Sequence, residues 1–323
     1  MTRRRGQRGF TLVELMISLV MFSFAIAGVL SVAVTMTSGF REQRSTIGAE
    51  SAARMAMDYL ADAVRTVSPG VPSGNVQVAQ APCPAVAAPL AVINSAVGPD
   101  EMTLTFASGS VVTASKTAYA AGTTSLDVHD YSQFADGDTI LIANQDQGIL
   151  VRIAGAVTSS TLGLATQSCS TLTFPGTAGQ LPAGSLVIRA MRARFYIADL
   201  DGSPALWMDP DADGVAAEPL AEGIEDMQLA YARDVNGDGA ISEVGVAAND
   251  DEWSGNVAGD APITTGAYRA VRITLIARTA AASGTARFTR PAAEDRAAST
   301  TPDRFRRRTL VSTIEIRNLQ GSP

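Results

Sequence analysis

The chain has 323 residues, enough for one large domain or two modest ones with an ample core. Its formal net charge of −7 and pI of about 4.8 argue against a nucleic-acid-binding surface. Four of the 25 basic residues (Arg3, Arg4, Arg5 and Arg8) fall in the first nine positions. The remainder carries 21 basic against 32 acidic residues, a balance of −11, so an acidic, soluble-looking body follows a basic head.

From Phe10 to Met36 the chain is apolar apart from Thr11, Glu14, Ser18, Ser23, Ser31 and Thr35. As a helix this run is about 40 Å long, enough to cross a bilayer. The arginines before it predict a cytoplasmic N-terminus and translocation of everything after Met36. A cleavable signal peptide has a shorter apolar core followed by a small-residue cleavage site, so hydropathy alone points to a signal anchor. Glu14 does not fit a plain anchor. A carboxylate in a lipid-facing helix is costly and usually marks function.

The helical pattern continues beyond the span, and no proline occurs before Pro69. Ala53, Met57, Leu60, Val64 and Val67 share one face, which calls for a packed partner, most simply a sheet. Glu50, Arg54, Asp58, Asp62 and Arg65 gather on another face as a solvated surface. The spacing predicts Arg54–Asp58 and Asp62–Arg65 pairs, each contributing only ~0.2–0.5 kcal/mol. Gly28, Gly39 and Gly48 are weak points where the rod could bend or locally melt.

After "VSPGVPSGN" the texture changes to Ala, Ser, Thr, Gly and Val with short β-like runs. "EMTLTF", "TILIA", "ILVRIAGAV", "LVIRAMRARFYIA", "AVRITLIART" and "TLVSTIEIRN" are the predicted strands, many separated by turn dipeptides such as Asp136-Gly137 and Asp201-Gly202. Arg189, Arg192 and Arg194 within "VIRAMRARFYI" predict a half-exposed strand or a sheet edge. "TASKTAYAAGTTS" and "TRPAAEDRAASTTPDR" read as mobile loops. Cys83 and Cys169 have no metal-like spacing; if the body is exported, a disulfide between them is the favoured reading.

Two acidic stretches carry the site chemistry. "DVNGDG" sets Asp234, Asn236 and Asp238 at alternate positions, followed by Gly239, Ser242 and Glu243. Oxygen ligands at positions one, three and five with glycine at six are how a loop wraps calcium, although position twelve is Gly245 and the bidentate acid is missing. Asp209, Asp211, Asp213 and Glu218 form a second, weaker version in "DPDADG". The competing reading of both is an Asx-rich surface turn. His129, between Asp127 and Asp130, lacks any nucleophile motif, and no catalytic role is assigned.

"RGFTLVELMISLVMFSFAI" resembles the N-terminus of type IV prepilins and pseudopilins. The resemblance implies cleavage by prepilin peptidase between Gly9 and Phe10, N-methylation of Phe10, and Glu14 as the signature glutamate used in assembly. "YSQFADGDTILIANQDQGILVRI", "PLAEGIEDMQLAYARDVNGDGAIS", "YRAVRITLIART" and "FRRRTLVSTIEIRNL" are similar to segments of PilW-type minor pilins. The implied fold is α+β, the type IV pilin fold: a long N-terminal helix, half membrane-spanning and half packed on an antiparallel β-sheet with a β-rich insertion. It divides the chain into a cleaved leader (1–9), an assembly helix (10–36), its amphipathic continuation (37–68), the insertion (69–190) and a C-terminal β-rich region (191–323). The implied role is non-enzymatic, in a tip complex that primes pilus assembly and presents a PilY-type adhesin. Other minor and major pilins are the implied partners, and the inner membrane holds the chain, body periplasmic, before it moves to the pilus tip. A GspJ-like pseudopilin of a type II secretion system and a membrane-anchored periplasmic binding or adhesive domain are the alternatives.

Overall fold

The structure, a computed structural model, describes residues 11–67, 76–81, 83, 89–144, 147–158, 160–169, 172, 174, 179–238, 240–243, 251–259, 263 and 267–316. Gly9, Phe10 and Gly245 lie outside the described residues. The described residues are α+β, with one long helix and sheets that are antiparallel but for a single strand pair among them.

Helix α1 runs unbroken from Leu12 to Arg65, 54 residues and about 81 Å. Its start is set by Thr11 in an extended conformation, whose Oγ1 accepts the Glu14 N–H at 3.3 Å. Thr11 and Glu14 occupy the first and fourth places of the S/T-x-x-E capping box. At the other end Thr66 donates its backbone N–H to the Asp62 carbonyl, and Pro69 follows three residues later. Gly28, Gly39 and Gly48 are all helical, so the three weak points do not interrupt the rod.

The two halves of α1 have opposite environments. Every residue from Thr11 to Arg41 is exposed, whereas Ala53, Met57, Leu60, Val64 and Val67 are buried. Arg54 pairs with Glu50 at 2.7 Å, not with Asp58 as the spacing suggested. An acid one turn N-terminal to the base is the better orientation on a helix, which decides between the two.

Sixteen strands follow among the described residues. They are β1 (Val76–Val78), β2 (Leu90–Ile93), β3 (Glu101–Ala114), β4 (Tyr119–Ala120), β5 (Ser125–Asp127), β6 (Thr139–Ala143), β7 (Gly148–Thr158) and β8 (Thr161–Leu164). Then come β9 (Gln180–Leu181), β10 (Leu186–Leu200), β11 (Ser203–Asp209), β12 (Glu218–Glu222), β13 (Ile224–Asp234), β14 (Trp253–Ser254), β15 (Ala267–Arg278) and β16 (Arg307–Glu315).

In place of one sheet there are three among the described residues. A ten-stranded sheet has the order β12-β11-β10-β6-β7-β8-β5, with β3 on β10, β2 on β3, and β1 parallel to β7. A four-stranded sheet has the order β14-β13-β15-β16, and β4 pairs with β9. Strand β10 is the reason the large sheet branches. One of its flanks takes β3 from Leu186 to Phe195; the other takes β6 over 186–189 and β11 over 194–200. Of the two readings of Arg189, Arg192 and Arg194, the half-exposed strand holds, since all three are half-buried, and the sheet edge does not, since β10 is a central strand. The edge reading failed because two of the charges are answered within the body, Arg194 by Glu101 at 2.6 Å and Arg189 by Asp138 at 3.9 Å.

One core joins the buried face of α1 to both larger sheets and includes Leu60, Val64, Leu104, Phe195, Leu229 and Ile273. The Tyr59 ring meets Phe195 edge-on at 6.0 Å. A second core, which includes Leu126, Ile140, Val151, Leu162 and Leu181, contains no residue of α1. Next to it Cys83 and Cys169 are disulfide-bonded, 86 residues apart in sequence. On the chain-entropy account closing such a loop stabilises by about 4–5 kcal/mol.

Both predicted mobile loops are tied to the body. Tyr119 in the first is 1% exposed and packs edge-on with Phe174. In the second, Arg290 is 8% exposed and reaches into the four-stranded sheet. Small and charged residues disguised both segments, because their anchors are single side chains rather than periodic faces.

Candidate functional site

The bare half of α1 is one candidate site. It is long and apolar enough to cross a membrane, and Glu14 is the only charged residue between Leu12 and Phe40. Four of the span's hydroxyls are satisfied within the helix: Ser18, Ser23, Thr35 and Thr37 donate to the carbonyls four residues back at 2.8–2.9 Å. The Glu14 carboxylate, by contrast, makes no ion pair among the described residues. Being at the third helical position, it faces the unsatisfied N–H groups and the positive end of the dipole.

The acidic loops are the other predicted sites. Asp234 ends β13 and is buried; its Oδ1 accepts the Gly237 N–H at 2.6 Å while its Oδ2 holds Arg269 at 2.6 Å. Asn236 and Asp238 bond to each other at the tip, through Asp238 N–H to Asn236 Oδ1 at 2.8 Å and Asn236 Nδ2 to Asp238 Oδ2 at 3.1 Å. Glu243 is drawn away to Arg272 at 2.6 Å. Glu252, which the sequence reading passed over, closes the loop by accepting the Val235 and Ser242 N–H groups at 2.9 and 3.1 Å. No short motif could reveal it, since it lies past the loop on the approach to β14.

In the second loop Asp209 is buried and its Oδ2 accepts the Gly214 N–H at 2.7 Å. Asp211 instead pairs with Arg152 at 2.7 Å, and Asp213 accepts the Val215 N–H at 2.8 Å. Glu218 sits on β12, exposed, opposite Met208. Among the described residues no group of three or more His, Cys, Asp or Glu is gathered as for a metal ion. Calcium at Asp234 would compete with Arg269 for the same oxygen. His129 is exposed, and its acidic neighbours are engaged elsewhere, Asp127 by Thr161 and Asp130 by Ser132.

A buried polar clasp was missed altogether. Asp226 on β13 is fully buried and accepts Arg296 on Oδ1 at 2.7 Å, Arg290 on Oδ2 at 3.1 Å, and Gln228 Nε2 at 2.9 Å. Arg290 and Arg296 come from the segment joining β15 to β16, which this clasp fastens to the sheet. Beside it Asp100 is also fully buried and accepts the Ser95 and Leu229 N–H groups, both at 2.7 Å.

Burial pushes the Asp100 carboxyl up to about 7, against the pull of those two N–H groups and with a push from the Asp295 and Asp226 charges. A free Asp titrates near ~3.9. Between about pH 4 and pH 7 the folded chain therefore holds a proton that the unfolded chain has released, and stability falls as pH rises through that window. Asp100→Asn cannot ionise and is expected to flatten this fall. Melting temperatures of both proteins across the window check this; parallel pH profiles would show that Asp100 is not responsible.

Residues 194–318 match the family described as Type IV Pilus-assembly protein W. Residues 4–30 match the Prokaryotic N-terminal methylation motif. The two matches support a type IV minor pilin of the PilW type and point to a structural, pilus-assembly role. No curated protein and no solved structure matches the chain.

Proposed function

We propose that this PilW-type chain joins a tip complex that primes assembly of a type IV pilus, with α1 as its assembly element and the body available to present a tip adhesin. The observation that carries the reading is the division of α1. Its lower half is bare and apolar with a single acid, and its upper half is fixed in the core of the body. A rod of this kind spans the membrane before assembly and can pack among other pilin helices afterwards, because a face suited to lipid is equally suited to apolar helices. The α+β body with a helix packed on antiparallel sheets supports the pilin fold, and the methylation-motif match supports processing between Gly9 and Phe10.

Gly9→Leu tests the reading. The parent chain is expected to begin at N-methylated Phe10 when its terminal peptide is weighed by mass spectrometry, and cells carrying it to be piliated. The variant is expected to keep its leader and to leave cells without pili. Unaltered processing and piliation would instead favour the anchored binding domain. Intact pili with lost protein secretion would favour the pseudopilin.

A further inference from the structure

We propose that the groove between α1 and the loop at 279–284 binds an anionic phospholipid at the membrane surface. This rests on the reading of the Phe10–Met36 run as a membrane anchor. The groove has a volume of about 640 Å³, within the usual range for a ligand site. On the helix side it begins at Leu30, Ala33 and Val34 and runs past Arg41 to Glu42 and Ser45. Opposite lie Ala281, Ala282 and Gly284, which leave it wide because they are small.

The groove changes character along its length. Leu30 to Arg41 is about 16 Å of helix, and over that distance the lining passes from wholly apolar to cationic. With the apolar run ending at Met36, Leu30–Val34 lie at the edge of the hydrocarbon and Arg41 in the headgroup layer. The charge at the upper end is positive. Glu42, its acid, is already engaged, accepting Arg306 Nη2 on Oε2 and Ser283 Oγ on Oε1, both at 3.0 Å. Arg306 is thereby neutralised, whereas Arg41 makes no ion pair among the described residues and leaves the end with one net positive charge.

An acyl chain under a phosphate reproduces this sequence of environments and is already present where the groove opens. The helix of a second subunit also fits the apolar end; seated there it would shield the 279–284 loop and confine lipid contacts to α1. The Glu42 contacts hold the loop against the helix, so the groove is kept open as a fixed feature of the junction.

The test uses the full chain in vesicles of phosphatidylethanolamine and phosphatidylglycerol, with phosphatidylglycerol carrying a photoreactive diazirine in its acyl chain. After irradiation, adducts are expected on the 279–284 loop as well as on α1. Ala282→Trp fills the groove from an exposed position, and Arg41→Glu reverses its charge. Each is expected to reduce loop adducts about tenfold, a loss of ~1.4 kcal/mol in affinity, while adducts on α1 persist. Adducts confined to α1 in the parent chain, or loop adducts undiminished in both variants, would overturn the proposal. Absence of adducts on α1 as well would refute the membrane anchor, and the proposal with it.

Discussion

Glu14→Val is expected to enter the membrane at least as well as the parent chain and to be lost from pili. Removing a carboxylate from an apolar span lowers the cost of insertion, which translocon scales put at ~2.5–3.5 kcal/mol for an acid at mid-helix and which is smaller near the end. The loss comes at the next step. Cleavage after Gly9 would leave a charged amino group on Phe10, one turn from Glu14. Among packed helices the Glu14 carboxylate of one subunit can pair with the Phe10 ammonium of another, so two charges are compensated together and the axial register is fixed. Valine leaves the ammonium buried and alone, a penalty of about 3–5 kcal/mol for a broken buried pair, or more than a hundredfold in incorporation. The chain is expected in the inner-membrane fraction and absent from sheared pili.

The capping geometry supplies the control. The Glu14 N–H bonds to Thr11 Oγ1, so the residue also belongs to the helix start. Glutamine serves that start as well as glutamate does, but carries no charge. If charge pairing is the role, Glu14→Gln should fail in assembly like the valine variant. If Glu14→Gln assembles normally and only Glu14→Val fails, a polar side chain and not its charge is what matters and the pairing account is wrong, because the backbone N–H bond to Thr11 is open to all three residues.

Asp226→Ala should be the most damaging single change in the body. Two arginines would lose the carboxylate that both of them bond, and Arg290 is only 8% exposed. Removing one partner of such a buried cluster costs about 3–5 kcal/mol. Chemical denaturation of the purified chain should show an unfolding free energy lower by that amount. Replacing all three with apolar residues of similar size (Asp226→Leu, Arg290→Met and Arg296→Met) should recover much of the loss, because the uncompensated charges go too. Failure of the triple variant to recover would indicate that the ion pairs specify the path of the loop rather than merely tolerating burial.

The sequence was most legible where structure is set by neighbours in the chain. The helix from Leu12 to Arg65, the buried stripe at Ala53, Met57, Leu60 and Val64, and strands such as Thr139–Ala143 follow from periodicity, from capping and from the absence of proline. Glu14 stood out for the same reason, as one charge in a run whose character is otherwise uniform.

Strand partners and ion-pair partners were decided only by the tertiary structure. Nothing local says that β10 is central, since its half-exposed arginines fit an edge equally well until Glu101, some ninety residues away in sequence, is placed opposite Arg194. The acidic loop has the spacing of a cation site, yet Arg269, thirty-five residues on, is bonded to Asp234 by the register of β15 against β13. Asp226 likewise meets Arg290 across sixty-four residues. Side-chain periodicity is a property of one strand or helix and survives in the sequence, whereas charge compensation depends on register between strands, and register exists only once the sheets have formed.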